Sequence, residues 1–306
     1  MERLRQDDPP LIGPYAVLGG LDEEHERRRA PECRYIARGA DGRRTVLVHL
    51  PHPGIDPARW AGEAEAARRL SVPGFAPVTE VAGTAVPHWY ATPYTPVLPL
   101  PAVLAAHGGP LPEPVVRALG AALAGALAAA HAQGVTHAGV SPAAVLLGVD
   151  GPLLTCFGAV RAVAPDGERR LGSPVLDPGC LAPEQARGGR PRPLGDVYGL
   201  GAVLAYASTG HTVPEREELP VSLRGPVTAC LSRDAAHRPS AADLAALLAA
   251  PGAGPVATTR PPSPVPTVVD TRRFPLPARI VAALARQSAD VLVALPPARA
   301  EEAGRR

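Results

Sequence analysis

Residues with chemical potential gather in one stretch of the chain, Gly134 to Gly158, which reads G-V-T-H-A-G-V-S-P-A-A-V-L-L-G-V-D-G-P-L-L-T-C-F-G. It carries His137, Ser141, Asp150 and Cys156, and two further polar candidates, His49 and Glu63, lie upstream. What is missing limits the chemistry more than what is present. No lysine and no asparagine occur anywhere in the 306 residues, so any mechanism that needs an ammonium or a carboxamide metal ligand of those types is excluded. The four cysteines, Cys33, Cys156, Cys180 and Cys230, are scattered without C-x-x-C spacing, so neither a zinc site nor a disulfide framework is expected, and all four read as buried thiols.

These residues need elements to hold them. Gly134 ends a long alanine-rich helix over 115–133, His137 opens a loop whose geometry Pro142 fixes, and Val145–Leu147 and Leu153–Leu154 form a hairpin around Val149-Asp150-Gly151. Upstream, Tyr15–Leu18, Cys33–Ala37 and Thr45–His49 have strand character, and a helix is expected over 57–70 with Trp60 and Glu63 on it. Two more strands end near Thr92, and helices are expected over 98–106 and from Asp196 onward.

Helix, loop, Pro142, hairpin, then Phe157-Gly158 resembles the catalytic core of Ser/Thr protein kinases of the bacterial, actinobacterial type, with its His-Arg-Asp and Lys-Pro-x-Asn loop, hairpin and Asp-Phe-Gly. Leu181-Ala182-Pro183-Glu184, Asp196-Val197-Tyr198-Gly199-Leu200-Gly201 and Arg238-Pro239 follow in the family's order. The resemblance implies an α+β, two-lobed protein-kinase-like fold, with a small antiparallel β lobe and a larger α-helical lobe. It implies structural roles for Glu63, His137, Phe157, Gly158, Glu184, Asp196 and Arg238, with Glu184 paired to Arg238 and Asp196 holding the loop backbone.

At the family's chemical positions the residues differ. His49 stands for the phosphate-gripping lysine, Gly139 for the catalytic aspartate, Ser141 for the loop lysine, Ala144 for the metal-binding asparagine and Cys156 for the Asp-Phe-Gly aspartate. A neutral imidazole offers at most one donor where an ammonium offers three and a full charge. Magnesium prefers oxygen, so a thiol is no substitute. The glycine-rich loop is reduced to Gly19-Gly20 followed by Asp22, Glu23, Glu24 and Glu26, read as a solvated loop that repels a triphosphate, and Arg27-Arg28-Arg29 reads as solvated too. The resemblance therefore implies a pseudokinase: not an enzyme, with no metal site and no required cofactor, working as a signalling scaffold or regulatory binding module. The alternative is an ATP-dependent Ser/Thr kinase with weak residual activity. Hinge carbonyl and amide at Pro93 and Thr95 leave weak, metal-independent adenine nucleotide binding open.

The expected organisation is a small lobe over 1–97, a large lobe over 98–251, a Pro-rich linker over 252–276, and a C-terminal helix and tail over 277–306. Ile280, Leu284, Val291 or Leu292 and Leu295 are spaced for an apolar helix face, either packed on its own lobe or offered to a protein partner. Only about nine residues separate Gly210 from Leu219, too few for the substrate-docking helix of the family. A net charge of +2 gives no case for nucleic acid. Arg117 and His131 interrupt the longest apolar segment, so no membrane span is expected; with no signal-peptide pattern at the start, the cytoplasm is the expected location.

Overall fold

The computed structural model describes residues 1–27, 30–83, 86–250 and 274–294. Its small lobe is a curled antiparallel sheet of β1 (Leu11–Ile12), β2 (Tyr15–Gly20), β3 (Glu32–Gly39), β4 (Thr45–Pro51), β5 (Glu80–Val81) and β6 (Tyr90–Pro93), ordered β1-β2-β3-β4-β6-β5. A single turn of helix, α1 (Glu24–Arg27), lies between β2 and β3, and α2 (Pro57–Arg68) between β4 and β5. Alternation along β3 divides the lobe. Tyr35 and Ala37 face Val46, Val48 and Trp89 in one apolar cluster, while Ile36 faces Leu47 and the space between the lobes. Asp56 starts α2 by accepting the Arg59 amide, and Trp60 and Ala64 are its buried residues.

The chain leaves the first sheet after Pro93 and enters a second at β7 (Val97–Pro99), which pairs with β8 (Val145–Gly148) and through it with β9 (Gly151–Leu154). Between β7 and β8 run α3 (Leu100–His107) and α4 (Glu113–Ala132); β7 thus takes the first residues of the helix expected from Leu98. After β9 come α5 (Ala159–Val163), α6 (Pro183–Ala186), α7 (Pro193–Thr209), α8 (Val221–Cys230), α9 (Ala241–Ala249) and α10 (Ala278–Val293). Between α7 and α8 there is only a 3-10 turn at Arg216–Glu218. Val116, Leu119, Leu123 and Leu127 of α4, at helical spacing, are all fully buried against α7 and α9. Among the described residues one helix, α4, is long and apolar enough to cross a membrane by composition, but this buried stripe accounts for its hydrophobicity.

Close backbone approach fixes the place of α7. A Cβ on Gly199 would lie 2.6 Å from the Val140 carbonyl oxygen, so a glycine lets this helix press on the loop that carries His137. The C-terminal helix packs on its own chain, with Ile280 and Leu284 in the large-lobe core, so its apolar face is covered without a partner. The linker expected over 252–276 lies outside the described residues up to 273, as does the tail from 295.

Candidate functional site: the interlobe cleft

The residues singled out from the sequence converge on the cleft between β2–β4 above and β8, β9 and the 137–144 loop below. Asp196, buried at the start of α7, accepts hydrogen bonds from the amides of His137 and Ala138, each at 2.8 Å, and sits 2.9 Å from His131 Nε2. Those bonds hold the loop through a turn in which Ala138 has φ +54°. The His137 ring is buried between Phe75 and Phe157, edge-on to both, and among the described residues neither ring nitrogen makes a well-formed hydrogen bond. Burial pushes its pKa down to about 4 against the opposing pull of Asp196, so the imidazole is neutral at pH 7. Glu184 and Arg238 meet in a bidentate pair, at 2.6 and 2.9 Å, and Arg238 also donates to the carbonyls of Ser232 and Leu194.

His49 is fully buried in the small lobe and has no free face toward the cleft. Its Nδ1 lies 2.9 Å from Glu32 Oε2 and its Nε2 3.3 Å from Thr92 Oγ1, and its ring stacks on Tyr90 with centroids 4.2 Å apart. Glu32 gathers the hydroxyl of Tyr90 and the indole of Trp60 as well. Burial works to raise this carboxyl, but the bonds and charge from His49 and the Tyr90 hydroxyl hold it below the usual carboxylate range.

Glu63 does not stand as a lone surface carboxylate. Arg161 of α5 clamps it at 2.8 and 2.6 Å, an electrostatic tie between α2 and the segment after Phe157-Gly158. Gly158 has φ +76°, and a Cβ there would collide with the Glu63 carboxylate.

The loop positions are small because the backbone has closed in on them. A Cβ on Gly139 would strike the Cys156 carbonyl, so no side chain of any kind fits there in this conformation. Pro142–Ala144 form a 3-10 turn after Ser141, and the Ala144 carbonyl accepts the Thr155 amide at 2.8 Å. Cys156 is buried with φ +59°, its Sγ 3.5 Å from Glu32 Oε2 and 3.3 Å from Thr155 Oγ1. Burial, and after it the Glu32 charge, push the thiol well above its ordinary pKa, so it is neither a thiolate nor a ligand for a hard cation. Among the described residues no group of three or more His, Cys, Asp or Glu side chains is placed to hold a metal. The residues present do not fit magnesium.

Sequence reasoning missed the group that dominates the cleft. Arg34 is the cross-strand partner of His49, is 1% exposed, and sends its guanidinium between the lobes. Its Nε donates to Asp22 Oδ2 at 2.9 Å, its Nη2 to Asp22 Oδ1, and its Nη1 to the Ala143 carbonyl at 2.8 Å, with Thr155 Oγ1 at 3.5 Å. Burial opposes its charge, but Asp22 outweighs that and raises the arginine's pKa further. Asp22 is thus no solvated acid: it is 2% exposed, because a buried cation is within its reach. Arg27 is likewise not solvated, being paired with Asp8 and lying over the Tyr35 ring, whereas Arg28 and Arg29 lie outside the described residues. A signal existed: strand period places Arg34 on the same face of β3 as Ile36, which points inward.

Pro93 and Thr95 are exposed in the segment joining the lobes. Next to them, Gln287 of α10 closes on β7: the Val97 amide donates to its Oε1 at 3.0 Å and its Nε2 donates to the Val97 carbonyl at 2.8 Å. Away from the hinge, a cavity of about 360 Å³ opens beside α2, lined by Trp60, Val72, Phe75, Tyr90, Cys156 and Phe157 among others.

No protein-family model matches the chain. Individual relatives do. It is 34% identical over 271 residues to the serine/threonine-protein kinase AfsK of Streptomyces coelicolor, covering 81% of this chain and 33% of that protein. Against AfsK of Streptomyces griseus the identity is 33% over 302 residues, covering 89% and 37%. Against the probable serine/threonine-protein kinase PkwA of Thermomonospora curvata it is 34% over 274 residues, covering 81% and 35%. The chain thus spans about a third of the length of these curated relatives.

These relatives correct the expectation that the chain is not an enzyme, since all three are named as kinases. That expectation counted lost side chains position by position, and such counting overlooks a group delivered from a neighbouring strand, as Arg34 is delivered beside His49. By sequence and by fold, the chain carries a two-lobed protein-kinase-like domain whose homologues are bacterial serine/threonine protein kinases.

Proposed function

We propose that the domain is an ATP-dependent serine/threonine protein kinase of weak activity, in which Arg34 takes the part of the cation that His49 does not supply. The observation that carries this reading is the Arg34 guanidinium itself, a permanent charge inside the cleft within hydrogen-bond reach of the loop carbonyl at 143. The names of the relatives and the paired Glu184–Arg238 and Asp196–loop contacts support it. Activity is low because each missing preorganised group commonly lowers a rate by about 10² to 10³, and Arg34 replaces only one of them. Adenine would be read by the backbone at Pro93 and Thr95 without a metal grip on the phosphates.

The test is incubation of the chain with labelled ATP, magnesium or manganese and a generic protein acceptor. Slow incorporation above a boiled control is expected, and it should vanish in an Arg34→Met, Asp22→Leu chain, which loses the cation while leaving no buried charge unpaired. Incorporation unaffected by that double change would remove Arg34 from the reaction.

A second reading, a regulatory binding module or signalling scaffold built on the same fold, is favoured by one specific observation. Asp22 already neutralises Arg34, and the backbone leaves no room for a side chain at Gly139. In that reading the cleft passes a conformational signal to protein partners inside the cell.

A further inference from the structure

The described residues offer a second occupant for the nucleotide cleft, and it belongs to the chain itself. We propose that α10 is an intramolecular gate: its docked position and an adenine at the hinge exclude one another. This rests on the reading that the cleft takes adenine, and it adds the segment that regulates entry.

The argument starts from Gln287, an uncharged polar residue on the buried face of an otherwise apolar helix stripe of Ile280, Leu284 and Val291. A lone buried amide is unfavourable unless all its bonds are made. Gln287 makes them to the chain segment that follows the hinge. Its Oε1 accepts from the Val97 amide and from the Tyr94 hydroxyl, at 3.0 and 3.1 Å, and its Nε2 donates to the Val97 carbonyl at 2.8 Å. One side-chain donor and one acceptor thus face one backbone carbonyl and one amide. Val97 lies two residues beyond Thr95, so these bonds seat α10 against the end of the segment whose Pro93 and Thr95 backbone would read adenine.

One helical turn further on, Val291 enters the apolar cluster of Leu18, Leu21, Ile36, Leu47 and Leu146, which comes from both lobes. A flat aromatic base needs such a layer above and below it. In this structure the side of that layer is closed by Val291, and the helix end is held over it by Arg38, which donates to the carbonyls of Val291 at 2.6 Å and Ala294 at 3.1 Å. The other end is anchored to the large lobe by Ile280 and Leu284 and by Arg279 on the His107 carbonyl at 3.0 Å. The helix therefore spans the two lobes beside the hinge, and a base stacked in that layer from Pro93 and Thr95 has to displace Val291 and the C-terminal half of the helix.

The experiment compares adenosine and ATP binding, by calorimetric titration without metal, for the unmodified 306-residue chain and a Gln287→Ala, Val291→Asp chain. The expected result is binding at least about tenfold tighter in the variant for both ligands, together with faster amide exchange over 278–294 in the variant before any ligand is added. Equal or weaker affinity in the variant overturns the proposal, as does absence of binding to both chains. Should the double variant fail to fold, Arg38→Ala, which removes only the two carbonyl bonds at the helix end, is expected to tighten adenosine binding in the same direction, and no change there also overturns it. The titration reads no phosphoryl transfer, so its outcome and that of the kinase assay are independent.

Discussion

Arg34 and Asp22 form the most exacting test of the cleft described above, because the two ways of disturbing them have opposite expected results. Both side chains are about 1% exposed, and the guanidinium makes two bonds to the carboxylate and one to the Ala143 carbonyl. Arg34→Met alone leaves Asp22 ionised and buried with its main partner gone. Breaking a buried pair from one side typically costs about 3 to 5 kcal/mol, whereas replacing both members with apolar residues of similar volume is commonly neutral or stabilising. For a domain of this size about 4 kcal/mol corresponds to a fall of roughly 8 to 16 °C in Tm. Arg34→Met is therefore expected to melt well below the unmodified chain, and Arg34→Met with Asp22→Leu within about 1 kcal/mol of it. The assay is urea denaturation of the four chains of the cycle, which also gives the coupling energy. A single variant that costs less than about 1 kcal/mol, or a coupling near zero, would refute the claim that Arg34 and Asp22 are a buried pair whose charges compensate each other.

Further outcomes follow from other contacts. Gly139→Asp restores the carboxylate type of the family but is expected to destabilise by about 2 to 4 kcal/mol and to raise no activity, because its Cβ meets the Cys156 carbonyl; denaturation and an ATP assay check both halves. Glu184→Ala strands the buried Arg238 guanidinium, and since that cation keeps its bonds to Ser232 and Leu194, a loss of about 1 to 3 kcal/mol is expected in thermal melts. His137 is buried neutral with its pKa lowered to about 4, so the unfolded chain binds the extra proton first: stability from this residue is full above about pH 6.5 and is lost as pH falls toward 4. His137→Phe is expected to flatten the stability-versus-pH curve in that window, and an unchanged curve would contradict the assignment. Gly158→Ala is expected to weaken the Glu63–Arg161 clamp and to destabilise by about 1 to 3 kcal/mol, read in the same melts.

Legibility in the sequence depended on the range of the interaction. The strands over Tyr15, Cys33 and Thr45 and the helix ended by Gly134 are written in local period and punctuation, and the large lobe in short motifs whose order is hard to produce by chance. Glu184 and Arg238 were readable because the family resemblance supplied the pairing. Arg34–Asp22, Glu32–His49 and Glu63–Arg161 were not, because each joins residues whose partner is set by strand register or lobe closure. By composition the acidic run reads as solvated, yet Asp22 faces inward where β3 delivers a cation. Gly139 read as a lost aspartate; only three dimensions show that the Cys156 backbone occupies the space. The C-terminal apolar stripe was legible, its destination was not, since Gln287 reads as an interruption until Val97 is seen opposite it.

The most direct test of the central claim is a single-turnover measurement of phosphate transfer from ATP to serine or threonine, read by mass spectrometry on the full chain and on its Arg34→Met, Asp22→Leu counterpart. Family turnover is about 1 to 100 per second; four of the five family positions stay unreplaced, and although groups acting as a unit do not multiply, losing even two at about 10² each puts the expected rate at least about 10⁴-fold lower, read over hours and absent from the double variant. No phosphoserine or phosphothreonine after that time in the unmodified chain, or equal amounts in both chains, would contradict the account.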